Sequence, residues 1–253
     1  MQAGYPACMG EIEFSEHRKK AEVAQMIRAC IFDLDGTLAD TLQSLAWFGN
    51  TALERNGFAP VETEAYKQMV GNGADRLIRR MLTRSVGSFD EETVLRVRKT
   101  YDDLYAATPL YRTVSYPGIP ELVKALGERG ILCAVLSNKP DAMTQLVIQA
   151  LFPEGSFASV LGQKDAIPKK PAPDGALLTA ERLGVLPEEC LYIGDTNVDM
   201  QTGNAAGMHT IGVLWGFRDR KELEESHAAE IVSEASEILK IADRIGIAGR
   251  NAE

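Results

Sequence analysis

Ile27-Arg28-Ala29-Cys30-Ile31-Phe32-Asp33-Leu34-Asp35-Gly36-Thr37-Leu38 is an apolar run that ends in two carboxylates one residue apart. Its near-continuous apolar character reads as a strand covered on both faces. Gly36 lets the backbone turn sharply, so both acids leave at the carboxyl end of the strand. Carboxylates this close repel, an arrangement that persists most readily when a cation binds them or one of them holds a proton. An Asp-Gly pair after a strand is also ordinary turn chemistry, so the stretch alone leaves both readings open.

Outward from it, further short β-like runs cover 131–137, 159–161, 190–193, 209–214 and 230–232, with helical stretches over 120–130, 141–151, 173–184 and 197–207. This alternation predicts an α/β fold with a doubly wound parallel sheet, whose functional loops lie at the carboxyl ends of the strands. Residues 41–115 break the rhythm with helical periodicity and no buried strand, which predicts an inserted all-helical cap domain. The insertion sums to +1 and the rest of the chain to −10. Tyr116-Pro117-Gly118 is the turn that returns to the core. The expected organisation is a leader over 1–26, a core over 27–40 and 116–253, and a cap over 41–115. The leader carries Glu11, Glu13, Glu16, His17, Arg18, Lys19 and Lys20 as a solvated segment, and Met26 is an alternative start.

The chain has 253 residues, 45% hydrophobic and 25% charged, with 22 Gly and 11 Pro, which excludes disordered or collagen-like classes. A net charge of −9 without a basic tract argues against nucleic-acid or anionic-membrane partners. No apolar run approaches a membrane span and no signal-like segment opens the chain, so the expectation is a cytoplasmic protein, monomer or homodimer. Cys8, Cys30, Cys133 and Cys190 have no CxxC spacing and read as small buried thiols rather than disulfides or a zinc site.

A second acidic cluster, Tyr192-Ile193-Gly194-Asp195-Thr196-Asn197-Val198-Asp199, again takes a strand into a glycine turn with carboxylates. If two such ends of one sheet converge, Asp33 and Asp195 with the backbone carbonyl of Asp35 make the hard oxygen site that Mg2+ prefers. Asp199 fits either a first-turn helix acid favoured by the macrodipole or a supporting role behind that site. Between the clusters, Ser137-Asn138 ends a strand where a hydroxyl and backbone amides could hold a phosphoryl oxygen, though such a pair also makes plain turns. Lys169-Lys170-Pro171 sets two cations before a helix start, which is also how a solvated pair looks.

The order DxDGT, strand-terminal Ser, Lys-Pro, GDxxxD resembles the haloacid dehalogenase superfamily of aspartate-nucleophile phosphotransferases, over about Met26 to Ile241, with the insertion placed as in members carrying a C1-type cap. The resemblance implies that Asp33 is the nucleophile and becomes an aspartyl phosphate, and that Asp35 is acid to the leaving alcohol and then base to water. It implies that Thr37, Ser137, Asn138 and Lys170 hold the transferring group, and that Asp33, Asp35 and Asp195 bind Mg2+. Lys170 is preferred to Lys169 because it directly precedes Pro171, as in the family pattern. An acid at position 35 points away from dehalogenases and phosphonate-cleaving members, whose leaving groups do not need that proton.

In the insertion, Val70-Gly71-Asn72-Gly73 leads into a helix with Leu77, Ile78, Met81 and Leu82 on one face and Arg76, Arg79, Arg80 and Arg84 on another. This turn, with Gly71, Asn72, Gly73 and Arg76, is the expected substrate-selecting element; the arginines also suit an ordinary exposed face. The glycine turn and Leu214-Trp215-Gly216 resemble phosphoglycolate phosphatases, which implies Mg2+-dependent hydrolysis of a small phosphorylated metabolite. A phosphomutase of the β-phosphoglucomutase type, a pyrophosphatase, and a nucleotide or sugar phosphatase share the scaffold. A catalytically silent phosphate-binding protein is opposed by the intact acids.

Overall fold

The computed structural model describes residues 26–250; residues 1–25 of the expected leader, including Cys8, lie outside the described residues. Ala29–Phe32 form β1, and every one of its side chains is buried. Its alternate residues divide between two cores: Cys30 and Phe32 join one apolar cluster, Ala29 and Ile31 another. A strand with a core on each face has no use for polar positions, which is why the run is apolar throughout.

The other strands of the main sheet are β4 (Leu132–Pro140), β5 (Ser159–Gln163), β6 (Cys190–Gly194), β7 (His209–Val213) and β8 (Glu230–Val232). Their spatial order is β5-β4-β1-β6-β7-β8, all parallel. β1 is therefore flanked by β4 and β6, and the chain winds outward from it in both directions. The crevice at such a reversal, beyond the carboxyl ends of the strands, is where doubly wound sheets place their sites. Helices α5 (Ile119–Glu128) and α10 (Ala235–Arg250) supply Ile119, Leu122, Leu126, Ile238 and Ile241 to one core, as α6 (Asp141–Leu151) supplies Val147 and Ile148. On the other face, α7 (Asp174–Leu183) contributes Ala176 and Ala180, and Gly184 ends it in the left-handed conformation. Helices α8 (Asn197–Ala205) and α9 (Arg220–Glu225) complete the core.

Between β1 and α5 lie four helices: α1 (Leu42–Arg55), α2 (Tyr66–Met69), α3 (Ala74–Val86) and α4 (Glu91–Ala107). They close on their own apolar cluster around Phe48, Tyr66, Ile78, Met81, Leu82 and Val97. Phe48 packs on Tyr105 with ring centroids 4.7 Å apart. The Asp90 side chain caps α4 by accepting from Thr93 N at 2.8 Å. Where the chain enters and leaves this insertion, β2 (Ala39–Asp40) and β3 (Val114–Ser115) pair as an antiparallel ribbon. Two-residue strands carry no readable period, and the sequence reading did not include them. It also omitted α9 and α10 and stopped β4 at Ser137. The pairing of β4 with β5 shifts register between Leu136 and Pro140, so Ser137, Asn138 and Lys139 extend the strand through an irregularity.

The three described cysteines, Cys30, Cys133 and Cys190, are free and buried, and burial pushes the Cys133 and Cys190 thiols up to about 12. No described helix is long and apolar enough to cross a membrane.

Candidate active site

Asp33 continues the β1 ladder by donating its N–H to Ile193 O at 2.9 Å, so the carboxylate emerges where β1 and β6 end side by side. Asp195 follows β6 directly and is fully buried; its Oδ1 accepts from Thr37 Oγ1 at 3.2 Å and its Oδ2 from Phe217 N at 2.8 Å. Asp199, in the first turn of α8, accepts from Thr196 N and Thr196 Oγ1 on Oδ2, and from Lys170 Nζ on Oδ1 at 2.7 Å. It thus closes a capping box at the start of α8 and holds the lysine. The two acidic clusters of the sequence meet at the same rim of the sheet.

Oxygen atoms of Asp33, Asp195 and Asp199 lie within 4.8 Å of one another. The side chain of Asp35 is not in this group. Its two oxygens are held by Lys139 Nζ at 2.8 and 3.0 Å. The side-chain carboxylates that gather are therefore 33, 195 and 199; Asp35, expected at the cation with Asp33 and Asp195, gives its side chain to an unanticipated lysine, so any share it has in the ion falls to its backbone carbonyl.

Lys170 Nζ lies 2.9 Å from Asp33 Oδ1 and donates to Leu136 O at 3.2 Å. Burial works to discharge this ammonium, but Asp199 and Asp33 outweigh it and keep the group ionised. Burial pushes the Asp33 carboxyl up to about 7 against the pull of Lys170, with Asp199 and Asp35 adding to the rise. Asp195 is raised as well, by burial first and then by Asp199 and Asp33, against the Phe217 amide. Three buried carboxylates thus share one ammonium, which lies against Asp33 Oδ1 and Asp199 Oδ1. An all-oxygen donor set with an uncompensated negative charge fits a hard divalent cation such as Mg2+.

Ser137 is buried, its Oγ accepting from Lys139 N at 3.3 Å. Asn138 is a tie between three segments: Nδ2 donates to Gly71 O and Lys170 O, both at 3.1 Å, and Oδ1 accepts from Lys170 N at 2.9 Å. In the insertion, Gly71 and Gly73 reach the cavity wall, whereas Asn72 and Arg76 do not. Asn72 Oδ1 accepts from Arg80 at 2.9 Å, and Arg76 is exposed. Trp215 donates Nε1–H to Thr37 O at 3.0 Å.

Asp33 and Asp35 open into a cavity of about 380 Å3 between core and insertion, walled by Leu45, Val70, Leu77, Tyr101, Tyr105 and Met143. Two residues beyond the sequence reading stand out, one on its wall and one at the seam behind Val70. Lys139, buried on the wall, sits 5.1 Å from the Tyr105 ring centroid. Arg218, also buried, donates to Lys67 O and, at 3.1 Å, to Val70 O across the seam. The Lys-Pro after Ser-Asn repeats the Lys-Pro of 170–171 and was the one cue to Lys139. Arg218 had none.

The family model for haloacid dehalogenase-like hydrolases matches residues 30–213. A phosphoglycolate phosphatase of Escherichia coli is 31% identical over 230 residues, covering 84% of this chain and 91% of its own. One from Nitrosospira multiformis is 32% identical over 216 residues, covering 85% and 95%. The crystal structure of a candidate phosphoglycolate phosphatase from Lactobacillus delbrueckii subsp. bulgaricus superposes with a TM-score of 0.82 at 34% identity, covering 86% of this chain and 98% of that one.

Proposed function

This chain belongs to the haloacid dehalogenase-like hydrolase family, and from that premise we propose that it is a Mg2+-dependent phosphatase acting on small phosphomonoesters, phosphoglycolate first among them. The observation that carries the proposal is the position of Asp33: at a strand end, beside one buried ammonium and two further buried carboxylates, and open to a cavity that also receives Asp35. Asp33, Asp195 and Asp199 would hold or support the cation, which offsets charge on the phosphoryl oxygens when bound.

The chain's own groups then divide the work. Lys170 draws the phosphoryl group toward Asp33, and the amides around Ser137 and Asn138 present donors to its oxygens. An Asp33 oxygen attacks phosphorus as the ester P–O bond breaks, and Asp35 passes a proton to the departing alkoxide. Asp35 next takes a proton from water, whose oxygen attacks the phosphorus of the aspartyl phosphate and regenerates Asp33. The insertion roofs the cavity as the cap, keeping bulk water away until the alcohol has left. Its mostly apolar walls and volume of about 380 Å3 suit a small leaving group.

Steady-state phosphate release from a panel of phosphorylated metabolites, with and without Mg2+, tests the proposal. Phosphoglycolate is expected to lead, and Asp33→Asn to lower turnover on the order of 10⁴-fold or more while the fold is kept. Full activity in that variant would refute the nucleophile, and a preference for hexose phosphates or pyrophosphate would refute the substrate.

A further inference from the structure

Two cations stand on the wall of the cavity into which a leaving group would project, Arg98 and Lys139. Arg98 is committed: its Nε contacts both oxygens of Asp102 at 2.8 Å and its Nη1 pairs with Asp75. Lys139 differs in its surroundings. Its side chain is 5% exposed, Asp35 is its one ion-pair partner among the described residues, and the face of Tyr105 backs it. The two oxygens of Asp35 engage two of the ammonium's three donors, and the remaining one faces Tyr105, a neutral group that brings no second negative charge. A buried ion pair adds little net stability over apolar packing, and holding Asp35 in place calls only for a neutral donor. A full positive charge at this depth gains most when a second anion arrives beside Asp35.

Where that anion would come from follows from the chemistry proposed above, on which this inference rests. Asp35 serves the ester oxygen, so an atom two bonds from that oxygen falls within reach of the group that holds Asp35. In the phosphate ester of a short 2-hydroxy acid, that atom is the carboxyl carbon. We infer that Lys139 is the specificity-determining residue, its ammonium receiving the substrate's carboxylate, and that the preferred substrates are phosphate esters of short 2-hydroxy acids. The other cation on the wall, Arg98, is already paired with Asp102 and Asp75.

Two probes with the same carbon skeleton separate this role from a merely structural one: 2-phosphoglycolate and 2-hydroxyethyl phosphate, each measured for kcat and KM with the Mg2+-loaded enzyme. The wild type is expected to favour the acid by about 100-fold in kcat/KM. Lys139→Met is expected to shrink that ratio about 30-fold, chiefly through KM for the acid, and Lys139→Arg to keep most of it. Should the Met variant fail to fold, Lys139→Gln against Lys139→Arg carries the same comparison. If Lys139→Met slows both probes by the same factor, the lysine only positions Asp35 and the inference is overturned. It is equally overturned if the wild type cleaves both probes alike, although the phosphatase reading then stands; a wild type that cleaves neither probe nor p-nitrophenyl phosphate removes both.

Discussion

A methyl group on Gly36 would stand 2.2 Å from Asp195 Oδ2, in a backbone held at φ +90°. Both facts exclude a side chain: L-residues rarely adopt that conformation, and the displaced atom belongs to the acid trio. Gly36→Ala is therefore expected to cost about 1–3 kcal/mol of stability and to depress kcat/KM by about 100-fold, read by melting and by phosphate release. A variant with wild-type kinetics would show that Asp195 has room to move. At this scale the sequence was informative about Asp33, Gly36, Asp195 and Lys170, since each sits at a strand end or turn whose chemistry is local. It gave only the Lys-Pro pair as a cue to Lys139 and none to Arg218, because a lone cation looks solvated until the fold brings a carboxylate or a carbonyl to it.

The loop after β7 does the joining among elements. Trp215 reaches Thr37, Phe217 gives its amide to Asp195 and its ring to the apolar cluster of the insertion, and Arg218 grips the carbonyls of Lys67 and Val70. Glu222, on α9, in turn holds Arg218 at 3.0 Å. Truncating this guanidinium leaves two carbonyls unpaired at the seam, a loss of about 1–3 kcal/mol. Arg218→Ala is expected to quicken hydrogen exchange in α2 and at residues 70–73, and to raise KM several-fold. Unchanged exchange there would mean that apolar packing alone seats the insertion. The sheet strands and helices α5 to α8 were legible to within a few residues because burial on two faces imposes a strong pattern, whereas α9 and α10 went unread. The ribbon of β2 and β3 was not legible, since two residues a side hold no period.

For the molecule as a whole, the acid trio ties folding to pH and to metal. Asp33 binds its proton in the fold up to about 7, against 3.8 when free, so the proton-linked contribution is complete below pH 4 and is lost as pH rises through 7. Asp195 is raised in the same direction. In a chelator, the melting temperature is expected to drop by about 5 °C between pH 5.5 and pH 8, and Mg2+ to restore it at the higher pH. Asp195→Asn should flatten the slope; a chelated protein equally stable at both values would contradict the uncompensated charge. The sheet covered on both faces and the helical insertion were both readable from alternation and its interruption, whereas their seam, made of long-range contacts, was not. One consequence follows from the paired strands at residues 39–40 and 114–115. A passenger whose departure and return share a single doorstep can be exchanged for another of different size without rethreading its host, so selectivity can diverge while the chemical machinery is inherited intact.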